Sequence, residues 1–131
     1  MGEAGYKRLI VWQKADQLAN DIYIHTRNFP KEELYGLTSQ MRRAGLSVPT
    51  NIVEGYARKS RNELKQFLNI SLGSLAETEY LLKFACDLKF LSQADYDSLE
   101  KTRQEVGNLL WRFIQSINLT GVLGHRGVGE H

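Results

Sequence analysis

The stretch Gln40-Met41-Arg42-Arg43-Ala44-Gly45-Leu46-Ser47-Val48-Pro49-Thr50-Asn51-Ile52-Val53-Glu54-Gly55 carries two stripes at helical spacing. Leu37, Met41, Ala44, Val48, Ile52 and Gly55 recur at steps of three and four, the seam of a helix that faces a core. Gln40, Arg43, Ser47, Asn51, Glu54 and Arg58 follow the same steps on the neighbouring flank. Polar side chains beside a core must find partners, because each one left unsatisfied costs roughly 1–3 kcal/mol. Pro49 removes one backbone hydrogen bond and crowds the carbonyl of Gly45, at about 3 kcal/mol. Both stripes stay in phase across it, which predicts a kinked helix; a break at Ser47 to Thr50 is the alternative.

Outward from this segment the chain reads as four helices. Helix one runs from about Val11 to Asn28, with Trp12, Ala15, Leu18, Ala19, Ile22 and Thr26 inward, and Phe29-Pro30 ends it. Helix two starts near Glu33 to Leu37 and ends around Ala57. Ser60 caps helix three, and Glu63 completes a Ser-x-x-Glu capping box. That helix runs from Arg61 to about Leu88. Ser92 caps helix four, with Asp95 at the third position and Leu91 and Tyr96 placed as a hydrophobic staple. Its seam is Tyr96, Leu99, Val106, Leu110, Phe113 and Ile117, and it is expected to stop near Asn118. There is no strand alternation. Short loops make successive helices antiparallel, so the expected architecture is all-α, an up-down-up-down four-helix bundle. Residues 1–8 read as an N-terminal extension, 9–119 as the bundle, and 120–131 as a flexible glycine-rich tail.

The 131 residues suffice for one domain with its own core. No apolar run approaches the roughly 20 residues of a membrane span, and Met1 to Gly5 lacks a signal-peptide core. The single cysteine, Cys86, cannot form an internal disulfide and reads as a small buried thiol, which suits a cytoplasmic location. Net charge is +2, unevenly spread: residues 36–65 hold six basic and two acidic side chains, residues 74–100 six acidic and two basic. That split serves a phosphate-binding face, or equally two helices that attract each other.

Chemistry-bearing residues are sparse. A di-metal bundle needs Glu-x-x-His pairs, but Glu54, Glu63 and Glu77 are followed three places later by Ala57, Gln66 and Tyr80. His25 is the only histidine in the helical body. No metal, no cofactor and no catalytic residue is expected, and no membrane or small-molecule partner. Two constellations remain. The first is a polar network between helices two and three: Arg43, Asn51, Glu54, Ser74 and Glu77. In an antiparallel hairpin that turns near residue 59, Arg43 falls opposite Glu77, where a charge-assisted hydrogen bond fits. Glu54 falls opposite Leu64 or Lys65, and Gly45 near Gly73. The second is a basic set for phosphate contact, Arg42, Arg58, Lys59, Arg61 and Lys65, with Tyr56 close to the turn. Helix three also carries more apolar residues than one bundle seam absorbs: Leu64, Phe67, Leu68, Ile70, Leu72, Leu75, Tyr80, Leu81, Leu82, Phe84, Ala85 and Leu88. Self-association explains that surplus, unless the segment Leu9-Ile10-Val11 folds back over it.

Leu9-Ile10-Val11-Trp12-Gln13-Lys14-Ala15, then Phe29-Pro30-Lys31-Glu32-Glu33-Leu34-Tyr35-Gly36-Leu37-Thr38-Ser39-Gln40, resembles the 23S rRNA intervening-sequence proteins, also called four-helix bundle proteins. The most specific part is Gln40-x-Arg42-Arg43-Ala44-x-x-Ser47-Val48-Pro49-x-Asn51-Ile52-x-Glu54-Gly55, and Gly73-Ser74-Leu75-x-Glu77 fits as well. The likeness covers about residues 9–117, and Gly45 and Val53 stand where alanine is commoner. The resemblance implies a left-handed bundle assembled as a homopentameric ring. A related bundle, the accessory variability determinant of diversity-generating retroelements, binds a reverse transcriptase and nucleic acid. The expectation is therefore a non-enzymatic pentamer that binds RNA, DNA or a ribonucleoprotein, with a protein-interaction scaffold as the alternative.

Overall fold

A computed structural model describes the backbone of residues 5–127 and the side chains of residues 5–119. A 3₁₀ turn, Gly5–Arg8, leads into α1 (Ile10–Thr26). A second 3₁₀ turn, Lys31–Glu33, precedes α2 (Leu37–Tyr56); α3 spans Arg61–Asp87 and α4 Gln93–Gly127. No strand occurs among the described residues. Among the described residues the helices pack side by side in the cycle α1–α2–α3–α4–α1. The chain is thus a four-helix bundle.

Helix α2 continues without interruption through Pro49, which is buried. Its seam is the expected one: Met41, Val48 and Ile52 are at most 1% exposed, beside Leu18, Ile22, Leu68, Leu82, Val106 and Leu110. Burying such a side chain stabilises the fold by about 1.5–3 kcal/mol. The Ser60 hydroxyl accepts from the Glu63 N–H at 3.3 Å, and Ser92 from the Asp95 N–H at 3.0 Å. Leu91 is buried, and Tyr96 packs against the core. The α3–α4 connection closes as a Schellman turn: Lys89 holds φ 65°, and the Phe90 N–H bonds the Ala85 carbonyl at 2.9 Å.

Three expectations are corrected. Helix α4 does not stop near Asn118 but reaches Gly127. No proline removes a donor there, and each glycine only weakens a helix, by about 1 kcal/mol, without ending it. Residues 1–4 and 128–131, parts of the expected extension and tail, lie outside the described residues. Gly45 does not meet Gly73: a Cβ on Gly45 would stand 2.7 Å from Ile22 Cδ1 of α1, and one on Gly73 would meet nothing within 4 Å. The close approach of α2 and α3 is made by Gly55 instead, where a Cβ would lie 3.0 Å from Phe67 Cβ and 3.2 Å from the Leu64 carbonyl oxygen. Finally, the N-terminal turn packs on α1 and α2, not on α3. Ile70, Tyr80, Phe84 and Leu88 stay exposed, at 50%, 63%, 41% and 44%.

Candidate functional site

The polar stripe of α2 meets α3 through small hydroxyls. Ser47 Oγ and Ser74 Oγ share a hydrogen bond of 2.7 Å, and Asn51 Nδ2 donates to both Oγ and the carbonyl of Ser47 at 2.9 Å. The fully buried Ser71 donates to the Val48 carbonyl at 2.8 Å. These pairs set the antiparallel register of α2 and α3. Ser47 and Ser71 are the residues that sequence reasoning left out of its network, although Ser47 lay in the stripe it identified.

Arg43 and Glu77 line one open groove of about 510 Å³ with Gln40, Ala44, Ser47 and Ser74. They make no ion pair within 4.0 Å, so the expected bond between them is absent. Both are exposed, so neither is driven to pair by desolvation. Glu54 pairs instead with Arg58, one turn on in its own helix, at 3.2 Å.

The basic set divides in two. Arg58, Lys59, Arg61 and Lys65 gather at the α2–α3 turn. The Arg58 guanidinium lies 4.9 Å from the centre of the Phe67 ring, and Lys65 Nζ donates to Asn118 Oδ1 of α4 at 3.1 Å. Lys59 and Arg61 are exposed and make no ion pair among the described residues. Arg42 belongs elsewhere. It lies sixteen residues before Arg58, roughly 24 Å along the helix. There its Nε donates to Thr26 Oγ1 at 2.8 Å and its guanidinium stacks 4.7 Å from the Tyr23 ring centre. Packing on α1 uses this side chain, which the sequence pattern alone cannot show.

Two cations that sequence reasoning missed join the turn. A Cβ on Gly5 would stand 2.6 Å from the Tyr56 hydroxyl, so the 3₁₀ turn lies against the end of α2. This brings the exposed Lys7 and Arg8 to the same end of the bundle. Some fifty residues separate them from Arg58 in the chain, so no local signal reports the proximity. Glu54 and Glu63 are the carboxylates nearest in sequence, and Glu54 neutralises Arg58 in part.

Some charges elsewhere are internally matched. Arg103 reaches both Glu100 and, across to α3, Glu79 at 3.5 Å. Its hydrogen bond to Glu100 holds its guanidinium still more firmly charged than usual, against the opposing effect of burial. Burial raises Tyr96 above the usual phenol value, with Glu100 adding to it. Asp87 raises Lys83, through a hydrogen bond of 2.9 Å on the surface. Among the described residues no three His, Cys, Asp or Glu side chains gather as a metal site, and no helix is long and apolar enough to cross a membrane.

A bundle with a tight α2–α3 hairpin and a cationic turn defines the class. The family model of the 23S rRNA-intervening sequence proteins matches residues 7–112, and the chain belongs to that family. Among solved structures it is similar to a crystal structure of a protein of unknown function, from the S23 ribosomal protein family, of Bacteroides thetaiotaomicron. The two are 28% identical, with a TM-score of 0.73 over 80% of this chain and 98% of that one. The comparison with curated proteins gives no match.

Proposed function

We propose that the protein is a non-enzymatic bundle that assembles with copies of itself, as the pentameric ring implied by the family resemblance, and binds RNA or a ribonucleoprotein. The supporting observation is the cationic end: Lys7, Arg8, Arg58, Lys59, Arg61 and Lys65 share one end of the molecule, with Lys59 and Arg61 exposed and free of carboxylate partners among the described residues. One such end is a weak phosphate site. Several copies held in a ring add their contacts, because each further contact is intramolecular. The apolar stripe Ile70, Tyr80, Phe84 and Leu88 supplies a surface for the contact between copies. A reverse transcriptase with its RNA is one ribonucleoprotein that such a ring would serve.

The same stripe, beside the groove of Arg43 and Glu77, also favours a second reading: a scaffold that holds a protein partner without nucleic acid. The mass of the purified assembly, before and after nuclease and a high-salt wash, separates the two. A particle of about 75 kDa, five times the 15.0 kDa chain, that sheds nuclease-sensitive material supports RNA binding. A nucleic-acid-free particle of that size supports the scaffold, and a monomer removes both. In binding assays Arg58→Glu with Arg61→Glu is expected to weaken RNA affinity. It should also flatten the dependence of log K on log salt by about 0.7–0.9 per lost phosphate contact. An unchanged slope assigns the phosphates to other residues.

A further inference from the structure

Helix α4 turns one large aromatic away from the core. Trp111 is 58% exposed, although Val106, Leu110, Ile114 and Ile117 around it are buried. Its position about the helix follows from its neighbours. Arg103 reaches Glu79, a Cβ on Gly107 would lie 3.4 Å from Leu75, and Asn118 accepts from Lys65, so these three residues all face α3. Trp111 comes one turn after Gly107 and two turns before Asn118. It therefore stands on the same flank, about 10 Å along the axis from Asn118.

That flank is cationic and amide-rich. From Val106 to Leu119 α4 has no carboxylate, and its one cation, Arg112, lines a groove with Lys14 on the α1 side; the cations of the α3–α4 flank are Arg61 and Lys65 of α3. The exposed amides on this half of the two helices include Asn69, Gln115 and Asn118. Leu72 of α3 and Leu110 of α4 pack in the core and not on this surface. A flat aromatic beside cations and amides is the chemistry that takes up an unpaired base: the ring stacks, the cations hold the phosphates, and amides reach the base edges.

We infer that Trp111 is a stacking platform for an unpaired base of a strand whose phosphates lie on Arg61 and Lys65, so that the ligand is single-stranded rather than duplex nucleic acid. This rests on the nucleic-acid reading above and narrows it. A base inside a duplex is already stacked on both faces and cannot offer one to the indole.

The test compares a labelled oligoadenylate of about 10 nucleotides, within the site size of single-strand binders, with a duplex of equal length. Both are titrated with the intact protein by fluorescence anisotropy at one low salt concentration. Trp111→Ala is expected to weaken single-strand binding by about 5- to 100-fold and to leave duplex binding within about twofold. Trp111→Tyr, which keeps a stacking face, should restore most of the loss. Equal melting curves of the variants confirm that the exposed position leaves the fold intact. Arg61→Glu with Lys65→Glu should weaken both ligands. If Trp111→Ala changes neither ligand, or weakens both alike, the stacking inference fails while the cationic end stands. If neither ligand binds the unaltered protein, the cationic end fails and the inference with it.

Discussion

Lys89 sits in the left-handed region, at φ 65°, as the residue after the α3 cap. A side chain there costs roughly 1–2 kcal/mol, which glycine avoids. Lys89→Gly is expected to raise stability by up to about 1 kcal/mol, since glycine also frees the unfolded chain; the midpoint of urea denaturation reads it. Two glycines of α2 should behave oppositely. At Gly55 an added Cβ would press on the Leu64 carbonyl oxygen at 3.2 Å and on Phe67 Cβ at 3.0 Å, atoms that only a shift of the helix can move. Gly55→Ala is expected to lose about 1–3 kcal/mol despite its better helix propensity. At Gly45 the obstacle is the terminal methyl of Ile22, which can rotate away. Gly45→Ala should fall within about 1 kcal/mol of the parent. Equal melting temperatures for the two variants would show that α2 and α3 are not held at their observed separation by Gly55.

At the level of the helices, the least exposed ion pair among the described residues lies within α4. Arg103 is 12% exposed in its side chain and Glu100 16%, so their ion pair is screened far less than those at the surface. Glu100→Ala leaves that guanidinium with Glu79 alone, whose side chain is 55% exposed. A loss of about 1–3 kcal/mol is expected in thermal melts. Lys83→Ala breaks only the exposed pair to Asp87 and should barely move them. Tyr96, on the same helix, gives a pH dependence. Burial raises its pKa in the folded state, so the unfolded chain ionises first as pH rises past 10.0. Stability from this group is complete below that value and declines above it. Tyr96→Phe is expected to flatten the alkaline limb of stability against pH; an unaltered limb would place the phenol in solvent.

At the scale of the whole molecule, charge is arranged by the direction of the helices. The end formed by the α2–α3 turn and the start of α1 gathers Lys7, Arg8, Arg58, Lys59, Arg61 and Lys65. The α3–α4 turn at the other end carries Asp87, Asp95 and Asp97 beside Lys83 and Lys89, so charge there is mixed. A molecule with its unpaired cations gathered at one end should bind polyanions by that end, with an affinity that falls steeply as salt rises. The exposed stripe on α3 runs along the side, so copies joined there would leave the cationic ends free. A charge change at Arg58 and Arg61 should then lower RNA binding without altering the mass of the assembly. A simultaneous fall in mass would put the turn in the contact between copies.

The four helices, their caps at Ser60 and Ser92, and the inward seam of α2 were legible in the sequence, because each rests on contacts within a few residues. The helical periodicity crosses Pro49 unchanged, and the helix does too. The polar stripe was also legible as a stripe. Its partners were not: Ser47 bonds Ser74, while the longer Arg43 and Glu77 line one groove without an ion pair. Spacing fixes which side of a helix a residue occupies, but exposure decides whether two charges gain by meeting. In the same way the sequence placed Arg42 with the other cations, and tertiary packing drew it to Thr26 and Tyr23 of α1. Packing also brought Lys7 and Arg8 to the turn, through the seat of Gly5 against Tyr56. Local order follows from hydrogen bonds and caps along one helix. The cationic end and the α3–α4 flank of Trp111 exist only because four helices of set length and direction bring distant residues together.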